Sequence, residues 1–470
     1  MTSSGLLPEK RRFVSLPITD FQKTKRQLLT WAASYDVDEG LQAGIFCFLD
    51  NQGYPESIAP GVECVLAAGV RDSCEAAAGL AFARLKKWAG ERREWLFGHF
   101  AYDLATETEP ETAVTGATGS PPKPDPIGFP DLFFFIPQVL VELSPTVIRI
   151  GCFEGDGETI WSQIQAIPVQ DFLPSDPGLK RPAIGAIPSF KPRFTPAEYR
   201  ERVAGLQRHI LRGDCYEINF CQEFYSQPAD LDPLAAWWSL SQASPNPFSC
   251  FYRVGSSYLL CASPERYLKK SGNRVFSQPI KGTSARYPGR PAADSASARD
   301  LFHSAKDRSE NVMVVDLVRN DLSKVCLPGS VRVEELYGIY PFPQVFQMIS
   351  TITGTFSPDL HWTDAIRETF PMGSMTGAPK HRVVALIDQY ECSRRGIFSG
   401  AVGYVTPEGD FDFNVVIRSL LYNRDSRYLS YQVGSGITFY SDPEAEYEEC
   451  LIKAGGILKA LGVAGNRGAP

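Results

Sequence analysis

The chain has 470 residues, a formal net charge of −7 and a pI of about 5.5, and it carries no basic stripe of the kind that binds nucleic acid. Neither a signal peptide nor an apolar run of about 18 residues is visible, so we expect no membrane span and a cytoplasmic location. The 11 cysteines include no Cys-x-x-Cys pair, which argues against a zinc site and fits a reducing compartment.

The first part of the chain, residues 1–185, is predicted to form the N-terminal part of a mixed α/β fold. The predicted strands are 43–49, 132–141 and 147–150, and the predicted helix is 75–89. Residues 106–131 are rich in Thr, Pro and Gly, which predicts a surface loop. Residues 168–193 contain many prolines and are interpreted as a linker, so we place the boundary near residue 185.

The second part, residues 186–465, has clearer periodicity. The predicted helices are 195–212, 232–242, 294–322, 363–370, 382–390 and 442–461. The predicted strands are 215–224, 250–253, 258–261, 274–276, 400–406, 412–422 and 428–434. The whole chain is therefore predicted to be mixed α/β.

One lysine lies in an unusual stretch, Gln278-Pro279-Ile280-Lys281-Gly282-Thr283. Proline has no N–H for a sheet ladder, so it is expected to end the preceding strand. Glycine allows a ligand to approach the backbone closely. We therefore expect Lys281 in a tight turn, either as a solvated loop residue or as part of a ligand site.

Two pairs of carboxylates have helical spacing. Asp307 and Glu310 on one helix, and Glu446 and Glu449 on the last helix, are each three residues apart and share a face. Such pairs on facing helices would suit Mg²⁺, which binds one or two carboxylates together with water and substrate. The alternatives are acids that favour the helix dipole and an ordinary Glu449–Lys453 ion pair. The buried stripe of the last helix is predicted to be Tyr447, Leu451, Ala454, Leu458 and Leu461.

Three further features could bind an anion. Residues 373–380 can present N–H groups at a helix start, although their spacing is not that of a Walker motif. Gly434-Ser435-Gly436 follows a strand and permits close backbone approach. Arg418 closes an apolar strand, where it would bind a ligand carboxylate or lie at the surface edge.

These features belong to a series of short motifs in the run 195–462. The motifs are 213–216, 263–265, 279–283, 316–321, 376–380, 403–404, 417–418, 434–436 and the helix with Glu446 and Glu449. Together they resemble the chorismate-utilising enzymes, which include anthranilate, aminodeoxychorismate, isochorismate and salicylate synthases. The N-terminal part is similar only at 48–51 and 102–104. The resemblance implies two antiparallel sheets packed together and flanked by helices, as in anthranilate synthase component I.

Lys281 discriminates within that family, because anthranilate synthases carry alanine there and aminodeoxychorismate synthases typically carry lysine. The resemblance implies conversion of chorismate and ammonia to 4-amino-4-deoxychorismate, a precursor of para-aminobenzoate and folate. The lysine is expected to attack C2 and expel the C4 hydroxyl, with Glu265 as general acid, before ammonia enters at C4. The lysine must be neutral to attack, and a fall in its pKa from ~10.4 to ~7.4 would require about 4 kcal/mol from the site, to which desolvation and a nearby cation could contribute.

The resemblance also implies the remaining site residues. Glu310 and Glu449 match direct Mg²⁺ ligands, and Asp307 and Glu446 match an outer pair. The substrate-contact positions are Gly282, Thr283, Tyr404, Arg418, Gly434, Ser435, Gly436 and Lys453. A tryptophan pocket, or a plain structural turn, is expected at Asp50, Asn51, Pro247, Phe248 and Ser249.

Two positions depart from the family pattern. Gln347 stands where many members have a histidine associated with later ring chemistry, which disfavours pyruvate elimination. Glu217 stands where isochorismate synthases have a water-activating lysine and where amine-adding members commonly have glutamine. The role of Glu217 is open at this point.

The chain shows no Gly-x-Cys-x-Gly motif of a glutaminase, so the resemblance implies a separate glutamine amidotransferase subunit that delivers ammonia. Two alternatives remain. The first is another chorismate reaction, chiefly that of anthranilate synthase component I. The second is a non-catalytic subunit that binds an aromatic acid, against which the intact Lys281, Glu265 and acidic pairs argue.

Overall fold

The computed structural model describes residues 10–35, 44–54, 62–90, 92–109, 123–169 and 188–463. The boundary predicted near residue 185, and residues 110–122 of the predicted loop, lie outside the described residues, so the division of the chain stays a prediction. None of the described helices combines the length and the apolar character needed to cross a bilayer.

The described strands are β1 (Arg12–Pro17), β2 (Phe46–Asp50), β3 (Cys64–Ala76), β4 (Leu96–Phe100), β5 (Leu132–Leu143), β6 (Val147–Cys152), β7 (Lys191–Pro192), β8 (Glu217–Ser226), β9 (Phe248–Val254), β10 (Ser257–Ser263), β11 (Arg266–Ser271), β12 (Arg274–Gln278), β13 (Ile280–Ala285), β14 (Arg332–Pro341), β15 (Val345–Thr355), β16 (Gly377–Ala378), β17 (Ala401–Val405), β18 (Phe411–Asn414), β19 (Ser419–Asn423) and β20 (Tyr428–Ile437).

The described α-helices are α1 (Phe21–Ser34), α2 (Ala81–Ala89), α3 (Ala105–Thr108), α4 (Gly157–Ala166), α5 (Pro196–Leu211), α6 (Pro233–Ala243), α7 (Pro291–His303), α8 (Ala305–Ser323), α9 (Trp362–Thr369), α10 (Lys380–Tyr390) and α11 (Pro443–Ala460).

The strands form one antiparallel network that folds into two layers. The first layer runs in the order β1-β6-β5-β3-β2-β9-β10-β19-β20-β8. The second layer runs in the order β4-β17-β18-β11-β12-β15, and β13 and β14 both pair with β15. Strand β5 joins the layers, since its first half pairs with β4 and its second half pairs with β6.

Strand alternation explains how the layers pack. On β2, Cys47 and Leu49 belong to a core cluster that also contains Phe413 of the second layer. The intervening Phe48 points to the other face and contacts Trp237 of α6, with ring centroids 5.6 Å apart. One face of the first layer is therefore packed against the second layer and the other against helices, which confirms the predicted architecture.

Some local predictions were wrong. The helix predicted over 294–322 is two helices, because the Ser304 side chain accepts a hydrogen bond from the Asp307 N–H and starts a new helix. The strand predicted over 412–422 is interrupted by Arg418, whose φ is 52°. Residues 75–76 continue β3, and the helix predicted over 75–89 begins only at Ala81.

Two corrections bear directly on the site. Lys281 lies on β13, which pairs with β15, and not in a tight turn. The register of this pairing shifts between Ile280 and Thr283, which explains why the sequence does not alternate like a regular strand. On α11 the buried face is Glu446, Cys450, Ala454, Ile457 and Ala460, whereas the predicted Leu451 is exposed.

Candidate active site

Lys281 is held in an enclosed position by close backbone packing. Its neighbour Gly282 has a φ of 96°, and a Cβ added there would lie 2.9 Å from the Asp307 Cβ on α8. A Cβ on Gly436 of β20 would lie 3.0 Å from the Lys281 Nζ and 2.6 Å from an oxygen of Glu217. Glycine at both positions therefore lets β13, β20 and α8 converge around the amine.

The direct partner of Lys281 is Glu217, at the start of β8. Lys281 Nζ donates to Glu217 Oε1 at 2.6 Å. The side chains are 11% and 3% exposed, respectively, and Glu217 Oε2 is buried without a hydrogen-bond partner in the described part of the chain. The sequence left the role of Glu217 open, and the structure brings it into contact with the predicted nucleophile.

The surroundings of Lys281 raise the pKa of its amine. Burial acts to lower this pKa, but the nearby carboxylates of Glu217, Glu310 and Glu265 outweigh burial and raise it. The desolvation that would favour a neutral amine is therefore opposed by several acids.

Glu265 follows β10 and is only 4% exposed. Burial raises the pKa of its carboxyl from the ordinary 4.5 to about 7, although the Ser374 hydroxyl and the charges of Lys281 and Arg418 act to lower it. A carboxyl with this pKa can hold a proton near neutral pH and still release it, which is what a general acid must do.

One ammonium group lies close to acids of both helices. The Lys306 ammonium is 3.9 Å from Glu310 on α8 and 3.7 Å from Glu446 on α11. Glu449 pairs with Lys453 at 2.7 Å, and Lys453 also donates to the Gly434 carbonyl at 2.9 Å. Lys306 was not predicted from the sequence as part of this site, although its i,i+4 spacing to Glu310 is typical of an ion pair on a helix.

These acids suit a hard divalent cation in their chemistry. All four are carboxylates, burial raises the pKa of Glu310 to about 7, and Glu310 Oε1 has no hydrogen-bond partner among the residues described here, although it is buried. The four do not form a compact ligand set. Among the described residues, one group of three possible metal ligands has its donor atoms within 4.8 Å of one another. This group consists of Asp50, Glu63 and Cys64, and it includes none of the four acids. The Asp50 carboxylate is already paired with Lys25, at 2.5 Å.

The remaining predicted substrate contacts fall into two groups. Gly434, Ser435 and Gly436 lie on β20 beside β8, and Arg418 lies near enough to Glu265 to affect its pKa. Thr283 is exposed and lies opposite Gln347, whose buried amide has no hydrogen-bond partner among the described residues. Tyr404 is not among the groups around Lys281.

Tyr404 instead lines a cavity of about 40 Å³ together with Arg266 and Asp412. We call it the second cavity, to distinguish it from the surroundings of Lys281. Four residues of the predicted tryptophan pocket line the same cavity: Asp50, Pro247, Phe248 and Ser249. The fifth, Asn51, holds a turn through hydrogen bonds to Gly53 and Tyr54. Binding of tryptophan in this cavity stays a prediction.

A family model described as "chorismate binding enzyme" matches residues 46–459. The chain belongs to this family. Aminodeoxychorismate synthase component 1 from Escherichia coli (strain K12) is 41% identical over 268 residues, 57% of this chain and 58% of that relative. Its counterpart from Salmonella typhimurium is 35% identical over 369 residues, 77% of this chain and 76% of the relative. Anthranilate synthase component 1 from Haloferax volcanii is 39% identical over 268 residues, 56% of this chain and 50% of the relative.

Solved structures of other chorismate binding enzymes share the fold. Anthranilate synthase component I from Streptococcus pneumoniae superposes with a TM-score of 0.70 at 23% identity, covering 90% of this chain and 93% of that one. The menaquinone-specific isochorismate synthase from Escherichia coli gives a TM-score of 0.71 at 15% identity, covering 96% and 95%. At these identities the likeness concerns the fold.

Proposed function

We propose that this chorismate binding enzyme converts chorismate and ammonia to 4-amino-4-deoxychorismate through a covalent intermediate on Lys281. The observation that carries the proposal is an amine buried among acids, beside a carboxyl whose pKa is raised to about 7. Relatives named aminodeoxychorismate synthase component 1, at 35% and 41% identity, support this choice within the family.

The reaction divides into two steps that the residues can serve. The Lys281 nitrogen forms a bond to C2, both conjugated ring double bonds shift, and the C4–O bond breaks while Glu265 gives its proton to the departing oxygen. Ammonia then bonds to C4, both double bonds shift back, and the C2–N bond breaks to release the lysine. Water is the by-product, and Glu265 regains a proton from the new ammonium group. Tethering the first nucleophile gives it an effective concentration that bulk water cannot match.

Binding of the substrate would rest on groups around the same cluster. Arg418 and Lys453 supply positive charge for the carboxylates of chorismate, and Lys453 is held in place by the Gly434 carbonyl at 2.9 Å. Ser435, Gly436, Gly282 and Thr283 are proposed as further contacts.

The reaction is proposed to require Mg²⁺, held by Glu310 and Glu449 with Asp307 and Glu446 in support. When bound, Mg²⁺ would neutralise part of the acidic cluster and hold a carboxylate of the substrate. Lys306, now 3.9 Å from Glu310, would have to turn outward, which its 59% exposed side chain permits.

The ammonia is proposed to come from a separate glutamine amidotransferase subunit, since relatives are named as component 1 and this sequence carries no glutaminase motif. The product would then serve para-aminobenzoate and folate synthesis in the cytoplasm.

The second candidate is anthranilate synthesis, favoured by the 39% identity to the Haloferax volcanii relative. Lys281 argues against it.

Turnover of chorismate with ammonium and Mg²⁺, with products resolved by mass, tests the proposal. Wild type is expected to form aminodeoxychorismate, and Lys281→Ala to form much less of it or another product. Anthranilate from wild type would favour the second candidate. An unchanged product and rate in Lys281→Ala would mean that the lysine does not carry the chemistry.

A further inference from the structure

The acidic surroundings of Lys281 pose a chemical problem for a nucleophilic role. The pKa of this amine is raised, so it rests as an ammonium ion, and an ammonium ion has no lone pair with which to attack. A group that touches the amine must therefore remove one proton before or during attack.

Three carboxylates lie close enough to Lys281 to raise the pKa of its amine. They belong to Glu217 on β8, Glu265 between β10 and β11, and Glu310 on α8. Of these, Glu217 is the one whose oxygen lies within ion-pair distance of Nζ among the described residues, at 2.6 Å. Glu265 serves the leaving hydroxyl in the proposed reaction, and Glu310 points toward Lys306. Glu217 is thus the group in position to take the proton.

The backbone fixes Glu217 on both sides. Glu217 pairs with Ala378 on β16. The neighbouring Gly377 packs closely against the Glu217 backbone, since a Cβ added to it would lie 2.0 Å from the Glu217 carbonyl oxygen. On the side-chain face, Gly436 leaves room for the carboxylate to meet Lys281. Among the residues that the structure describes, the second oxygen, Oε2, is buried without a hydrogen-bond partner. A base held within hydrogen-bond reach of its acid meets the geometric requirement for proton transfer.

We propose that Glu217 is the proton acceptor for Lys281 in the first half-reaction. The Nζ–H bond breaks and an O–H bond forms on Glu217 Oε1, which leaves a neutral amine and a neutral carboxyl. The freed lone pair then forms the bond to C2. After ammonia has released the lysine as a neutral amine, Glu217 returns the proton and restores the resting ion pair. This inference rests on the proposed function.

The test isolates the first half-reaction by omitting ammonia, whose own protonation would otherwise distort a pH profile. Full-length protein, chorismate and Mg²⁺ are mixed and quenched, and the rate at which Lys281 gains the mass of chorismate minus water is followed across pH. The variants are Glu217→Gln, Glu217→Asp and, as a matched control, Glu223→Gln. Glu223 lies on the same strand, is equally buried and pairs with Arg193 at 2.8 Å, away from Lys281.

Wild type is expected to react at a rate that is flat up to about pH 7 and falls above it, because Glu265, the acid for the departing hydroxyl, loses its proton there. Glu217→Gln is expected to be slower by about 10²-fold near neutral pH. The ratio of its rate to the wild-type rate should rise about tenfold per pH unit, because solvent must then remove the proton from Lys281, whereas the loss of the Glu265 proton affects both proteins alike. Glu217→Asp should keep the pH profile of wild type at a lower rate, and Glu223→Gln should match wild type.

Two results would overturn the inference. The first is a Glu217→Gln variant as fast as wild type or faster. The second is a deficit relative to wild type that is equal at every pH, which would mark a purely structural role. Failure of wild type to form any adduct would instead refute the covalent step of the proposed function, so the two failures are distinguishable.

Discussion

Replacing Glu265 by glutamine should stabilise the protein while it impairs catalysis. The carboxyl is 4% exposed, and burial raises its pKa from the ordinary 4.5 to about 7. A carboxyl that is harder to ionise in the folded state than in the unfolded state costs stability as pH rises, because the unfolded state loses its proton first. Glutamine keeps the shape of the carboxyl and has no proton to lose.

The magnitude follows from the two pKa values. Below pH 4.5 both states are protonated, so Glu265 contributes no difference. Between 4.5 and about 7 the unfolded state ionises and the folded state does not, and above 7 the cost is constant. The gap of about 2.5 pH units, at about 1.4 kcal/mol each, corresponds to about 3 kcal/mol. Wild type should lose this amount relative to Glu265→Gln as pH rises through that window.

The assay is urea denaturation of both proteins at a series of pH values, with the difference in unfolding free energy plotted against pH. The reasoning predicts a difference that grows in favour of Glu265→Gln by about 3 kcal/mol and then levels off. A difference that does not depend on pH, or one that favours wild type as pH rises, would refute a buried carboxyl with a raised pKa. In the same preparations Glu265→Gln should turn over chorismate at least about 10²-fold more slowly, because the departing hydroxyl loses its acid.

Two further predictions concern the acidic helices and the buried ion pair between Lys25 and Asp50, the second of which lines the second cavity. Glu310→Gln should raise the Mg²⁺ concentration needed for half-maximal turnover, because a direct carboxylate ligand is lost, and an unchanged Mg²⁺ titration would count against that assignment. Lys25→Met should destabilise the protein by about 3–5 kcal/mol in urea denaturation at neutral pH, because it leaves the buried Asp50 carboxylate unpaired. Stability equal to wild type would show that Asp50 finds another partner or a proton.

Much of the fold could be predicted because local signals and burial agreed. The helix predicted over 195–212 is present as Pro196–Leu211, and the Thr195 side chain accepts a hydrogen bond from the Glu198 N–H as a cap should. The sheet order could not be predicted, because it depends on pairings distant in sequence, such as β4 with β17 and β2 with β9.

The candidate site, like the fold, could be predicted from the sequence only in part. Carboxylates at helical spacing indicated a site on each helix, but only the tertiary structure places Lys306 between Glu310 and Glu446. The pKa of Lys281 could not be judged from the sequence, because the three acids that oppose the effect of burial are brought to it by the tertiary structure. Tyr404 lines the second cavity with Arg266 and Asp412, and its predicted contact with the substrate stays a prediction.

The most direct test of the central claim is to locate the covalent intermediate. Wild-type protein is incubated with chorismate and Mg²⁺ without ammonia, quenched and digested, and the peptides are mapped by mass spectrometry. The account predicts that the peptide containing Lys281 gains the mass of chorismate minus water, and that ammonium discharges it as aminodeoxychorismate. Formation of aminodeoxychorismate with no adduct on that peptide, or with an adduct on another residue, would contradict it.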